Sequence, residues 1–416
     1  MTEPMLLRTP TMATASTWIA EHMGDLFRPG STARVMAGGQ QAADAALAAT
    51  DLAGYAKRRN DVWPVSRRGA TALSAYIRHG LLTLPRVWAS AEHAPDSDRK
   101  KFRDELLWQE YARHLYARIG RESAKSLRYS IIPRTGDRHL SWPEGMSCVD
   151  DSVAELAEHG WITNQQRMWL ASHWSVRLGW SWRDGEDLFF QQLLDGSRAA
   201  NRAGWQWTVG ALTGKPYGFS RWQVEKRAPD LCRRCSLRSA CPIESWPPDV
   251  SPAPRADPDP RLRHDPDPMA TTGPLTAQAR SDAEPAAQAV WLTAESLGDD
   301  DPALAAHPDL PVMFIWDEPL LQQLKLSAHR GVFLAQCLAD LAQRREVHIW
   351  RGDPRTRWTT LALATTYAPV PGWTERAAAV SVTQVHPWPW LFRPHAGPIQ
   401  SFTAWRSKIG DVPLQP

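Results

Sequence analysis

The chain has 416 residues, 43% of them hydrophobic and 22% charged, with a net charge of +3, 22 tryptophans and five cysteines. That length suffices for two or three domains with cores of their own. No apolar run approaches the ~18 residues of a membrane-spanning helix, so none is expected. The opening MTEPMLLRTPTMATASTW has no basic stretch followed by an apolar one and does not read as a signal peptide. A cytoplasmic protein is expected, its cysteines reduced or bound to metal. Residues 1–245 carry a net +7 and residues 246–416 a net −4, so the first part could present a basic face to phosphates.

In chain order, residues 1–25 read as a loosely ordered leader. Residues 26–246 read as a helical domain: Leu107, Tyr111 and Leu115 recur at i, i+4 spacing, and Leu188, Phe189, Leu193 and Leu194 form a similar stripe that ends at Asp195-Gly196. Residues 247–288, opening PPDVSPAPRADPDPRLRHDPDP, read as a proline-rich linker of polyproline II character. From 289 to 416 the period changes. Val290-Trp291-Leu292, Pro311–Trp316 and Val347–Trp350 are short apolar runs, with an amphipathic helix in RGVFLAQCLADLAQRRE between the last two. Strand, crossover helix and strand predict a small Rossmann-like parallel α/β domain. The expected fold class is therefore an all-helical domain followed by an α/β domain.

The most informative stretch is 160–207, where tryptophans and polar residues are mixed: Gly160-Trp161-Ile162-Thr163-Asn164-Gln165-Gln166-Arg167-Met168, then Trp182-Arg183-Asp184-Gly185-Glu186, then Leu194-Asp195-Gly196, then Asn201 to Trp207. This fits a site that holds a large aromatic cofactor and moves electrons through indole rings. Asn164, Arg167 and Met168 share a helix face, and Arg167 would pair with Asp195, because a buried guanidinium needs a carboxylate. Glu105 and Trp108, at i, i+3, pair an acceptor with a stacking plane. Cys232, Cys235 and Cys241 have metal-ligand spacing, and Cys148 is the candidate fourth ligand; an iron–sulfur cluster and zinc both fit that spacing. Cys337 falls within the amphipathic helix of the second domain and reads as core.

On these residues, together with Tyr55-x3-Arg59-Asn60, Gly69-Ala70-Thr71-Ala72-Leu73-Ser74 and Glu105-Leu106-Leu107-Trp108-Gln109-Glu110, the chain resembles the photolyase/cryptochrome flavoproteins over roughly 26–242. The resemblance implies an all-helical domain that binds FAD. It places Tyr55, Arg59, Thr71, Leu73 and Ser74 near the phosphates and ribose, and Asn164, Arg167, Asp195 and Asn201 around the flavin. Glu105, Trp108, Met168 and Trp207 would line the lesion pocket, and Trp205 and Trp182 would belong to the electron-transfer chain, with Tyr129 or Trp142 as its outer member. Glu105, Trp108, Asn201, Trp205 and Trp182 would be the catalytic set. The cysteines resemble those of the iron–sulfur bacterial branch, which implies a 4Fe–4S cluster on Cys148, Cys232, Cys235 and Cys241. The paired histidines of that branch near Thr163 and Asn164 are absent, which argues against (6-4) photoproduct chemistry.

The domain order is reversed relative to the usual family layout, as in a circular permutation. Val290–Leu297 and Asp301-Pro302-Ala303-Leu304 resemble the opening of the antenna-type domain, without its arginines, so no antenna pigment is assigned. The expected activity is a deoxyribodipyrimidine photolyase, a carbon–carbon lyase that repairs cyclobutane dimers in UV-damaged DNA. The alternative is a cryptochrome-like blue-light photoreceptor without repair. Gln109 and Gln165 favour it, because they stand where photolyases usually have arginine.

Overall fold

The computed structural model describes residues 4–30, 32, 35–245, 253–279, 285–356, 360–410 and 413–414. Two layers emerge, one helical and one built on a seven-stranded sheet.

The long helix α1 (Asp96–Ile119) is the spine of the helical layer. Asp96 and Asp98 in its first turn complement the helix dipole, and Gly120, at φ 54°, ends it. The Asp98 carboxylate also accepts from the backbone N–H groups of Gly54 and Ala56, at 2.9 and 2.8 Å, which fixes the Tyr55 turn against the spine. Helix α2 (Ser147–His159) stops at left-handed Gly160. Helix α3 (Asn164–Ala171) then begins from a capping box, Thr163 with Gln166. A π-helical turn, Ser172–Arg177, follows. Helices α4 (Trp182–Gln192) and α5 (Arg198–Thr208) complete the stretch singled out in the sequence.

The sheet runs β1 (Met5–Leu7), β5 (Val347–Gly352), β4 (Val312–Asp317), β3 (Ala289–Leu292), β6 (Leu363–Thr366), β7 (Val382–His386), β2 (Gln278–Ala279). The five central strands are parallel, in register Val290↔Val312 and Val312↔Val347. The chain winds outward from β3 to β4 and β5 on one side, then to β6 and β7 on the other, which is the doubly wound pattern. Helix α6 (Ala328–Leu341) makes the β4-to-β5 crossover, and Cys337 is buried within it.

Two expectations need correction. Residues 1–25 are not a loose leader: β1 pairs antiparallel with β5, and helix Ala15–Met23 buries Trp18, Ile19 and Met23, with Trp18 against Trp316. Nor is 247–288 simply a linker. Residues 246–252 and 280–284 lie outside the described residues, but Leu262 and Asp265 are buried and β2 pairs with β7. The reason is local. In Asp259-Pro260 and Asp267-Pro268 the aspartate caps a short helix whose first residue is the proline, accepting from Arg261 N and Ala270 N. Proline is favourable at that position, where no donor is needed. The repeated Asp-Pro therefore starts helical turns and does not extend the chain.

The layers share one core. Leu73, Tyr111 and Leu194 belong to the same apolar cluster as Val290, Phe314 and Phe333. Polar bridges cross it: Arg78 grips Glu295 through two bonds of 2.5 and 2.6 Å, and the His79 ring lies between the carbonyls of Ala294 and Leu194, at 2.6 and 3.1 Å.

Candidate functional site

The site is built around the Asp195-Gly196 turn between α4 and α5. Arg167 Nη2 lies 2.9 Å from Asp195 Oδ2 and also donates to the Ile162 carbonyl. The turn is held from both layers, since Gly196 O accepts from Arg78 at 3.1 Å and from Arg330 at 3.2 Å. A Cβ at Gly196 would fall 2.7 Å from Arg330 Nη1 and from Phe190 O, so only glycine fits there. Arg330 comes from α6, and no local pattern in the sequence signals its role.

Among the buried polar atoms near this turn that lack a partner are Asp195 Oδ1, Asn201 Nδ2 and Trp205 Nε1. Asp195 and Asn201 are 7% and 6% exposed. A buried group left unpaired costs about 1–3 kcal/mol, so such groups together mark a place where a polar ligand completes the bonding. Asn201 is one turn before Trp205 on α5, and Gly185 of α4 lets the Trp205 ring approach, because a Cβ there would fall 2.2 Å from it. These residues fit a flavin, whose ring edge offers both donors and acceptors.

Ser74 begins helix Ser74–Arg78, and its hydroxyl accepts from Trp161 Nε1 at 3.0 Å, a contact not anticipated from sequence. It follows Thr71 and Ala72, where Ala72 takes a left-handed φ of 56°. Non-glycine residues held there cluster at functional sites. Leu73 is buried in the shared core. Tyr55 packs edge-on to Phe102, and burial pushes its hydroxyl pKa up. Arg59 Nε donates to Glu105 at 3.1 Å, and Lys101 is 3.0 Å from the same oxygen, so two cations orient that carboxylate.

Trp108 stacks on Phe402, with centroids 4.2 Å apart and planes at 9°, while Tyr111 meets both rings edge-on. Phe402 lies on helix Phe402–Arg406, anchored by Trp405, whose Nε1 donates to His114 of α1 at 2.8 Å. Trp207 packs instead on Tyr217, and Met168 contacts Asn164 at 3.5 Å. Trp108 and Trp207 make no ring contact with one another among the described residues.

Cys148, Cys232, Cys235 and Cys241 line one small cavity with Ser147, Arg221 and Arg238. Burial pushes the Cys148 thiol up and that of Cys232 to about 11. Burial also acts on Cys235, but hydrogen bonds from Ser147 and Leu237 outweigh it and hold that thiol below its usual value. Among the described residues no group of three or more His, Cys, Asp or Glu is arranged to hold a metal ion. No helix among them is long and apolar enough to cross a membrane.

Residues 102–225 match the family model for the FAD binding domain of DNA photolyase. A deoxyribodipyrimidine photo-lyase of Thermus thermophilus is 33% identical over 191 residues, 43% of this chain and 44% of that protein. That of Escherichia coli is 35% identical over 162 residues, 35% of this chain and 34% of that protein. Among solved structures, a Synechocystis cryptochrome aligns at 22% identity over 46% of this chain and 43% of its own, with a TM-score of 0.40. An Agrobacterium tumefaciens class III photolyase aligns at 24% over 48% and 41%, with a TM-score of 0.34. The chain spans less than half the length of these curated relatives. The similarity lies in the helical layer, whose residues 102–225 resemble the FAD binding domain of DNA photolyase.

Proposed function

We propose that this protein is a light-driven FAD protein that repairs cyclobutane pyrimidine dimers in DNA. The observation that carries the reading is the Arg167–Asp195 pair beside unpartnered Asp195 Oδ1 and Asn201 Nδ2. In this reading those three residues and Asn164 hold the isoalloxazine, and Tyr55, Arg59, Thr71, Leu73 and Ser74 hold the phosphates and ribose. When bound, FAD supplies blue-light absorption and the one-electron transfer that opens the dimer.

The chain's own residues do the rest. A flipped-out dimer costs a few kcal/mol of lost stacking and pairing. Trp108, braced by Phe402, returns part of it by stacking; Trp207 and Met168 close the pocket; and Glu105, oriented by Arg59 and Lys101, accepts from a base N–H. Trp205 and Trp182 resupply electrons.

We further propose that Cys148, Cys232, Cys235 and Cys241 carry a 4Fe–4S cluster. Their common cavity, with Arg221 and Arg238 beside it to offset thiolate charge, supports this. Changing Cys232 to Ala should remove a broad violet shoulder from the absorption spectrum and leave the flavin bands. Residues 289–416 are read as an antenna-type domain in reversed order.

A photoreceptor without repair is the second reading. It is favoured by Gln165, which is buried and donates to the Tyr217 hydroxyl at 3.2 Å, so it does not reach for a phosphate. Phosphate contacts supply most DNA affinity. Blue light on a thymine-dimer oligonucleotide decides: repair by the reduced protein supports the first reading, and flavin photochemistry without repair or DNA binding supports the second.

A further inference from the structure

We infer that Glu110, His114 and Trp405 are positioning residues of the dimer pocket: one buried relay of hydrogen bonds that fixes Phe402 against Trp108 and so presents a single, oriented indole face to the flipped base. The inference rests on the repair reading above. Trp108 and Phe402 are both half-buried. Phe402 covers one face of the indole, with centroids 4.2 Å apart, and Tyr111 meets it edge-on at 5.7 Å and 81°. Among the described residues no other ring and no cation contacts Trp108.

Phe402 cannot hold that place by itself. Its helix, Phe402–Arg406, has 5 residues, far below the roughly 12–15 at which an isolated helix becomes even marginal in water. What fixes it comes from one stripe of α1. Glu110, His114 and Arg118 stand at i, i+4 and i+8, and all three are buried. Trp405, also buried, donates from Nε1 to His114 Nδ1 at 2.8 Å. That nitrogen therefore carries no proton, and the ring N–H is on Nε2, 3.2 Å from Glu110 Oε1. The same oxygen accepts from the N–H groups of Leu391 and Phe392, at 2.8 and 3.1 Å. Arg118 donates to Gly397 O at 2.6 Å, and the Tyr111 hydroxyl to Ile399 O at 3.0 Å.

These bonds have separate tasks. Leu391, Phe392, Gly397 and Ile399 precede the short helix, so their bonds fix only its approach. Among the described residues, Trp405 is the one side chain of that helix hydrogen-bonded to α1, so its bond sets the rotation of the helix and with it the plane of Phe402. An apolar contact tolerates sliding, whereas a buried relay with one donor and one acceptor at each step specifies one arrangement. His114 uses its two ring nitrogens in opposite senses. An apolar residue in its place would leave the Trp405 N–H buried and unpaired and would take a donor from Glu110. Trp108 would then lose its fixed neighbour. A mobile indole must be ordered as the base docks, which lowers affinity severalfold, while one already held in place meets the base directly.

The test uses the full chain loaded with FAD and chemically reduced, acting on a thymine-dimer oligonucleotide under blue light. Trp405→Phe keeps a ring and removes the donor. His114→Phe breaks the relay at its centre, and His114→Gln supplies one donor and one acceptor as the imidazole does. W405F and H114F should raise KM for the dimer severalfold, with kcat and flavin content per chain unchanged. H114Q should stay within about twofold of the parent, and the double variant H114F/W405F should lose no more than H114F alone, because both break one link. W405F carries the test by itself where H114F does not fold. An unchanged KM in W405F, or an H114Q as impaired as W405F, would overturn the inference and leave the repair reading intact. A fall in the flavin content of W405F in step with its KM would overturn it too, because the relay would then serve the fold as a whole. A parent that binds FAD but repairs no dimer overturns the repair reading and this inference with it.

Discussion

Two crevices of the molecule treat their buried polar groups in opposite ways. At the crevice beyond β3 and β6, where doubly wound sheets usually take ligands, the chain uses up its own polar groups. Asp301 is bonded to the Ser296 hydroxyl and to the N–H groups of Ala303 and Leu304, Thr366 accepts from Ala303 N, and Glu295 is clamped by Arg78. In the helical layer, Asp195, Asn201 and Trp205 each keep an atom unpaired. The same kinds of residue close one crevice and leave the other ready for a ligand. The sheet thus serves as a platform that holds the Asp195-Gly196 turn from behind, through Arg330.

The largest effect should come from Asp195→Ala. Removing one partner of a buried ion pair costs about 3–5 kcal/mol, and the variant should melt lower and be purified without flavin colour. If it keeps both its melting temperature and its colour, the contrast between the two crevices fails.

A pH effect comes next. Burial pushes the His79 pKa down from 6.5 to about 3. Between those values the unfolded chain binds the proton and the folded one does not, so this contribution to stability is complete above pH 6.5 and is lost as pH falls toward 3. Denaturant melts should show the parent losing stability over that window and His79→Gln losing less.

Asp301→Ala should cost about 1–2 kcal/mol as a lost cap, with flavin absorbance unchanged. Flavin loss in that variant would mean that the sheet's crevice belongs to the cofactor site. The smallest expected effect is that of Phe402→Ala. Losing an aromatic stack of about 0.5–1.5 kcal/mol should weaken binding of a dimer-containing oligonucleotide severalfold in a titration, with little change in melting temperature.

What the sequence disclosed and what it hid follow physical lines. The helical stripes around Leu107 and Leu188, the parallel strands from 289 onward and the pairing of Arg167 with Asp195 were readable, because each depends on local periodicity or on a charge that needs a partner. The Asp-Pro turns at 259–260 and 267–268 were open to reading by the same local chemistry, but proline content masked the capping role of the aspartates. Other features are tertiary. Nothing near Met5 announces its pairing with Arg351, and nothing near Phe402 announces a stack on a tryptophan 294 positions earlier.

The most direct test is the visible spectrum of the full chain after incubation with FAD and removal of the unbound dinucleotide. Structured blue bands with about one flavin per chain, abolished when Asn201 and Asp195 are both changed to Ala, are the predicted result. A colourless parent, or a double variant as yellow as the parent, contradicts the claim that these unpaired groups receive the cofactor.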